Sequence, residues 1–101
     1  MKGHDHHWRG IFPSLCTTFT EDGSLDDEAQ RAVVRFLLAC GADGMVCFGL
    51  AGEGNKLTPD ERKHLSRVII EEVHGRIPVL IGVGTEAVHT SIELVHHAEH
   101  A

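Results

Sequence analysis

The 101-residue sequence predicts an α/β fold in which parallel strands alternate with crossover helices. Three observations carry this. Three short apolar runs, at residues 11–17, 44–49 and 77–81, show no apolar/polar alternation, as expected of strands buried on both faces. Each is followed by a longer segment whose apolar residues recur at helical spacing. Glycine-rich or Asp-Gly turns separate the two kinds of segment.

Taken in order, Met1 to Arg9 form a polar, His-rich tail, in which Trp8 is suited to anchoring the tail on an apolar surface. The first strand is Ile11-Phe12-Pro13-Ser14-Leu15-Cys16-Thr17. Pro13 cannot donate a ladder hydrogen bond, so it belongs near a strand start or at a sheet edge. The Asp22-Gly23 turn leads into a helix over about Asp26–Cys40, with acidic Asp26, Asp27 and Glu28 at its positive end. Its expected buried stripe is Ala29, Val33, Phe36, Leu37 and Cys40, and Gly41 is placed to end it in a left-handed turn.

Gly44–Gly49 is the second strand, followed by a glycine-rich loop from Leu50 to Leu57. Thr58, Pro59 and Glu61 spell a helix start: an N-cap hydroxyl, a proline at the first helical position and the acid of a capping box. The stripe of this helix is Leu65, Val68, Ile69 and Val73, and Gly75 stands at its end. Ile77–Ile81 is the third strand, and a third helix from about Val88 turns Ile92, Val95 and Ala98 to the core.

The order β-α-β-α-β-α suits both a closed barrel and an open doubly wound sheet, and periodicity does not separate them. Three apolar strands cannot be covered by helices on one face alone; the other face needs more helices or closure on itself. A barrel takes roughly 200–250 residues. The expectation is therefore a tail over 1–9 and the truncated N-terminal part of a larger domain over 10–101.

Composition narrows the function. The net charge of −6 disfavours a nucleic-acid partner, and no basic run points to an anionic membrane. No apolar stretch approaches the ~20 residues that span a bilayer, and the polar N-terminus is unlike a signal peptide, so a cytoplasmic protein is expected. Cys16, Cys40 and Cys47 sit in apolar surroundings and read as reduced, buried small hydrophobes. His4, His6 and His7 cluster, as do His96, His97 and His100. His96 and His100 have ligand spacing on a helix, but without an evident third ligand both clusters read as solvated surface and no metal site is assigned. Gly82-x-Gly84-x-x-Ala87 imitates a dinucleotide fingerprint and supports an alternative, a noncatalytic Rossmann-like nucleotide-binding or interaction module; no following strand supplies its acidic residue. Gly49 to Lys56 is not a phosphate loop, having one residue too many before the lysine and no hydroxyl after it.

Several motifs resemble one family. Gly10-Ile11-Phe12-Pro13-Ser14-Leu15-Cys16-Thr17-Thr18-Phe19 with Asp22-Gly23-Ser24-Leu25-Asp26, then Gly41-Ala42-Asp43-Gly44, Gly49-Leu50-Ala51-Gly52-Glu53, Leu57-Thr58-Pro59-Asp60-Glu61-Arg62 and the run from Gly75 to Gly84 are similar in kind, order and spacing to the N-terminal part of the dihydrodipicolinate synthase and N-acetylneuraminate lyase family. The resemblance implies a (β/α)8 TIM barrel, of which this chain holds about the first three βα units. It also implies a homo-oligomer, often a tetramer, with no cofactor. The implied chemistry is a lysine Schiff base with a 2-oxo acid such as pyruvate, making or breaking a carbon–carbon bond, or dehydration of a sugar acid in some relatives.

The lysine of that chemistry, and its proton-relaying tyrosines, are not expected in this chain. Lys2 is in the tail, Lys56 reads as surface charge, Lys63 lies on a polar helix face, and there is no tyrosine. The fragment alone is thus expected to be inactive. What it carries, by resemblance, is the substrate-carboxylate loop: Gly49, Leu50, Ala51, Gly52 and Glu53. Leu50 and Ala51 replace the hydroxyl residues usual in relatives, which leaves backbone donors and opens the question of substrate.

Overall fold

The computed structural model describes residues 8–101. The ordered elements are helix α1 (Asp27–Ala39), strand β1 (Met45–Cys47), helix α2 (Pro59–Val73), strand β2 (Val79–Ile81) and helix α3 (Val88–His100), with a 3₁₀ turn at Gly54–Lys56. β1 and β2 pair in parallel, Met45 opposite Val79 and Cys47 opposite Ile81. Parallel neighbours joined through α2 form the βαβ unit that the alternation of segments predicts.

The first expected strand forms less completely. Ser14 makes a single parallel bridge to Val46, with the Leu15 N–H donating to the Val46 carbonyl at 2.7 Å and the Val46 N–H donating to the Pro13 carbonyl at 3.0 Å. Pro13 supplies an acceptor there but has no N–H to extend the ladder. Upstream, the Ile11 N–H turns to the Asp43 carboxylate at 2.8 Å. This segment flanks β1 on the side away from β2, so β1 is central. Trp8 stacks on Phe12 with ring centroids 5.9 Å apart.

The helices cover one face of this sheet. Leu15, Val34, Met45, Cys47, Phe48, Leu57, Leu65, Ile69 and Val73 form a contiguous core. Along β1, Met45 and Cys47 are buried while Val46 is intermediate; on β2, Leu80 is exposed. The expected burial on both faces is therefore met on one face among the described residues.

α2 matches its expectation closely. Thr58 and Glu61 form the reciprocal capping box, at 3.1 and 2.9 Å, and Leu65, Val68, Ile69 and Val73 are all buried. Burial of each such side chain contributes about 1.5–3 kcal/mol relative to exposure. The helix ends as expected at Gly75, which is left-handed (φ 73°) directly after the likewise left-handed C-cap His74 (φ 54°).

α1 and α3 require corrections. Asp26 caps α1, accepting from the Ala29 N–H at 3.0 Å, so the helix itself starts one residue later than expected. Its buried residues are Gln30 and Val34; Val33 and Leu37 are partly buried, whereas Phe36 is 65% exposed and Cys40 is exposed. The rotation follows from Gln30, whose side chain donates to the Cys16 carbonyl at 3.1 Å and accepts from the Thr18 N–H at 3.2 Å. A polar residue thus pins the first segment from inside. On α3 the buried residue is Leu94, while Ile92 and Val95 are exposed. Among the described residues α3 packs on α2, so one narrow stripe is covered. Of the cysteines, Cys47 is buried as expected, but Cys16 and Cys40 are exposed. Beside Cys16 it is Leu15 that is buried, whereas around Cys40 both Phe36 and Ala39 are exposed as well.

Candidate carboxylate-binding loop

β1 ends in an abrupt turn at Phe48, whose φ of 63° is left-handed, unusual for a bulky residue. Close packing holds it there. A Cβ on Gly54 would lie 2.3 Å from the Phe48 carbonyl oxygen, and one on Gly82 would lie 2.9 Å from the same atom. Glycine at these two positions lets the loop and the turn after β2 close onto the Phe48 peptide.

From this turn the chain runs through Gly49 to the tip at Leu50, which is 89% exposed, and Ala51, also exposed. Gly52 is buried, and its carbonyl accepts from the Thr17 hydroxyl. Glu53 is left-handed, with φ 56°. The Glu53 N–H donates to the Leu50 carbonyl at 3.1 Å and the Gly54 N–H to the Gly49 carbonyl at 3.2 Å. The loop therefore closes on itself, and Glu53 spends its amide inside it. The N–H groups of Leu50, Ala51 and Gly52 have no backbone acceptor among the described residues. Three successive amides in a tight turn form a concavity suited to an anion.

The lysines fall as follows. Lys56 is largely exposed and 3.9 Å from the Glu53 carboxylate. Lys63 is more enclosed than a solvated helix face implies, because it pairs with Glu93 of α3. Lys2 lies outside the described residues, as do His4, His6 and His7. In the other His cluster, His97 makes a 3.2 Å contact to the Lys63 carbonyl while His96 and His100 are exposed. No group of three or more metal-capable side chains occurs among the described residues.

The turn that imitates a dinucleotide fingerprint is engaged by the protein itself. Arg62, 3% exposed, donates from Nη2 to the Gly82 carbonyl at 2.7 Å and from Nη1 to the Gly84 carbonyl at 2.8 Å. Its guanidinium carbon lies 5.7 Å from the centre of the Phe48 ring. Burial lowers the Arg62 pKa from its ordinary value. The sequence places Arg62 at the end of the Leu57–Arg62 motif but does not by itself give it a role. The available signal was its position three residues before Leu65, on the buried stripe of α2.

Burial pushes the Cys47 thiol up to about 12. A neutral thiol in the core is no nucleophile. No helix of the described residues is long and apolar enough to cross a membrane.

Residues 7–101 match the model of the dihydrodipicolinate synthetase family. The 4-hydroxy-tetrahydrodipicolinate synthase of Bradyrhizobium diazoefficiens is 42% identical over 94 residues, covering 93% of this chain and 31% of that protein. Among solved structures, YagE, a prophage protein of the dihydrodipicolinic acid synthase family from Escherichia coli K12 in complex with pyruvate, superposes with a TM-score of 0.88 at 40% identity. That match covers 92% of this chain and 31% of YagE. N-acetylneuraminate lyase from Mycoplasma synoviae superposes with a TM-score of 0.89 at 29% identity, over 92% and 33% of the two chains. The chain thus spans about a third of the length of the relatives it matches. Its fold class is that of the (β/α)8 barrel, not of an open nucleotide-binding sheet.

Proposed function

The chain belongs to the dihydrodipicolinate synthetase family, and from that membership we propose that the whole protein is a Schiff-base lyase or aldolase acting on a 2-oxo acid such as pyruvate. In this reading residues 10–101 are the first three βα units of its barrel, and the loop from Gly49 to Glu53 holds the substrate carboxylate. One observation carries the assignment of the loop: the N–H groups of Leu50, Ala51 and Gly52, without a backbone acceptor among the described residues, follow on the C-terminal end of a parallel strand, the end of a barrel where ligands bind.

Binding there has a clear chemical use. A carboxylate fixed by three amides presents the adjacent carbonyl carbon in one orientation. A lysine amine supplied elsewhere in the protein condenses with that carbonyl, releasing water. The protonated imine then accepts the electron pair when the neighbouring carbon–carbon bond breaks, or stabilises the nucleophilic carbon when one forms. With Lys56 exposed, Lys63 paired to Glu93 and no tyrosine, the 101-residue chain alone lacks this activity.

Leu50 and Ala51 bring no hydroxyl to the loop. The carboxylate is therefore held by main-chain donors, and no side chain here relays a proton. This disfavours dihydrodipicolinate synthesis itself and favours a divergent reaction of a 2-oxo acid, with sugar-acid dehydration as the second reading. A cytoplasmic homo-oligomer completes the proposal.

The test is borohydride reduction of the full-length gene product with pyruvate, followed by mass spectrometry. One reduced pyruvate per subunit, on a lysine outside this segment, is the expected result. No adduct with pyruvate or with any other 2-oxo acid defeats the assignment.

A further inference from the structure

Arg62 stands out among the buried polar groups. It is a cation in the core with no carboxylate paired to it among the described residues, and its Nε has no hydrogen-bond partner there. Burying such a charge is costly unless its hydrogen bonds are made, so what its terminal nitrogens hold matters. What it holds is the junction between two loops at the same end of the sheet. Its two terminal nitrogens grip the Gly82 and Gly84 carbonyls beyond β2, and its guanidinium carbon lies over the Phe48 ring beyond β1 at 5.7 Å from the ring centre.

These contacts act on one peptide. The backbone of Gly82 lies against the Phe48 carbonyl closely enough to exclude a Cβ, and so does that of Gly54. Phe48 is left-handed, and the next residue, Gly49, opens the carboxylate loop. We propose that Arg62 is a positioning residue: by clamping Gly82 and Gly84 under the Phe48 ring it holds the Phe48 turn, and through it the aim of the Leu50, Ala51 and Gly52 amides. The inference rests on the carboxylate-loop reading for its consequence in catalysis, but its structural core does not need a substrate.

The experiment is therefore twofold, on the full-length protein. Amide hydrogen exchange is followed at Glu53 and Gly54, whose N–H groups close the loop, and at α1 as an internal reference. Arg62→Met keeps length and apolarity while removing both hydrogen bonds. It is expected to speed exchange at Glu53 and Gly54 by about tenfold or more with α1 unchanged, and to raise the pyruvate KM by about tenfold with kcat within about twofold. Arg62→Lys, which keeps a donor and the charge, is expected to recover part of both effects. Unchanged exchange at Glu53 and Gly54, or a rise shared equally by α1, overturns the proposal, because the first removes the coupling and the second makes Arg62 a general stabiliser. If Arg62→Met yields no folded protein, Phe48→Leu removes the ring and leaves both hydrogen bonds. The same two amides should then accelerate, and their constancy overturns the proposal equally. Exchange reports without ligand, so a protein that forms no imine with any 2-oxo acid counts against the lyase reading and not against this one.

Discussion

Replacing Gly54 by alanine tests the packing that shapes the carboxylate loop. The added Cβ would sit 2.3 Å from the Phe48 carbonyl oxygen and 2.9 Å from its carbonyl carbon and Cβ. Real Cβ atoms stay beyond 3.0 Å of such neighbours, so the Phe48 peptide must retreat by at least about 0.7 Å. It has little freedom to do so. Phe48 is already left-handed, Gly82 backs the same carbonyl, and Arg62 covers the ring. Overpacking costs about 1–3 kcal/mol, and a rigid backbone obstacle puts this site at about 3. Alanine regains about 0.4–1 kcal/mol by restricting the unfolded chain, which leaves a net loss of about 2 kcal/mol. At about 2–4 °C per kcal/mol, thermal unfolding should shift down by about 4–8 °C. Gly49→Ala is the control. Among the described residues nothing lies within 4 Å of its added methyl, and its φ is not left-handed, so its Tm should equal or slightly exceed that of the parent. Differential scanning calorimetry of the full-length protein reads both. A Gly54→Ala Tm within about 1 °C of the parent, or an equal fall in Gly49→Ala, would refute the claim that the glycines are there for close approach.

Two further outcomes follow from the ionisable groups. Cys47, with its pKa pushed up to about 12 by burial, should resist iodoacetamide at neutral pH until the protein is denatured; peptide mapping that finds Cys47 alkylated in the folded protein as fast as exposed Cys40 would contradict its place in the core. Asp22, whose carboxylate accepts from the Thr20 hydroxyl and the Ser24 N–H, is held at about 2 against 3.8 for a free side chain. A folded-state pKa below the unfolded one means a stabilising contribution that is complete above about pH 3.8 and is lost as the pH falls toward 2. The Asp22 carboxyl resonance should accordingly titrate near 2 in the folded protein, and a midpoint near 3.8 would show the turn to be loose.

What the amino-acid sequence determined by itself are the features governed by neighbours along the chain. The capping box at Thr58 and Glu61, the buried stripe of α2, and the alternation that makes β1 and β2 parallel all depend on periodicity and local hydrogen bonding. The glycine motif at Gly49–Glu53 was likewise legible as a place where the backbone turns tightly at a strand's end. Tertiary structure decided the rest. Gln30 outranks Phe36 on α1 because it satisfies the Cys16 and Thr18 backbone groups of a segment 12 and 14 residues away, a gain that hydropathy does not register. Leu94 is buried and Ile92 is not because α3 packs chiefly on α2 among the described residues, so a narrow stripe suffices. The amide of Glu53 is lost to the loop's own closure, and Arg62 enters the core to reach carbonyls 20 and 22 residues distant. Local pattern sets which segments become helix or strand. Which polar groups go inside is a question of where their partners lie, and those partners come together only when the chain folds.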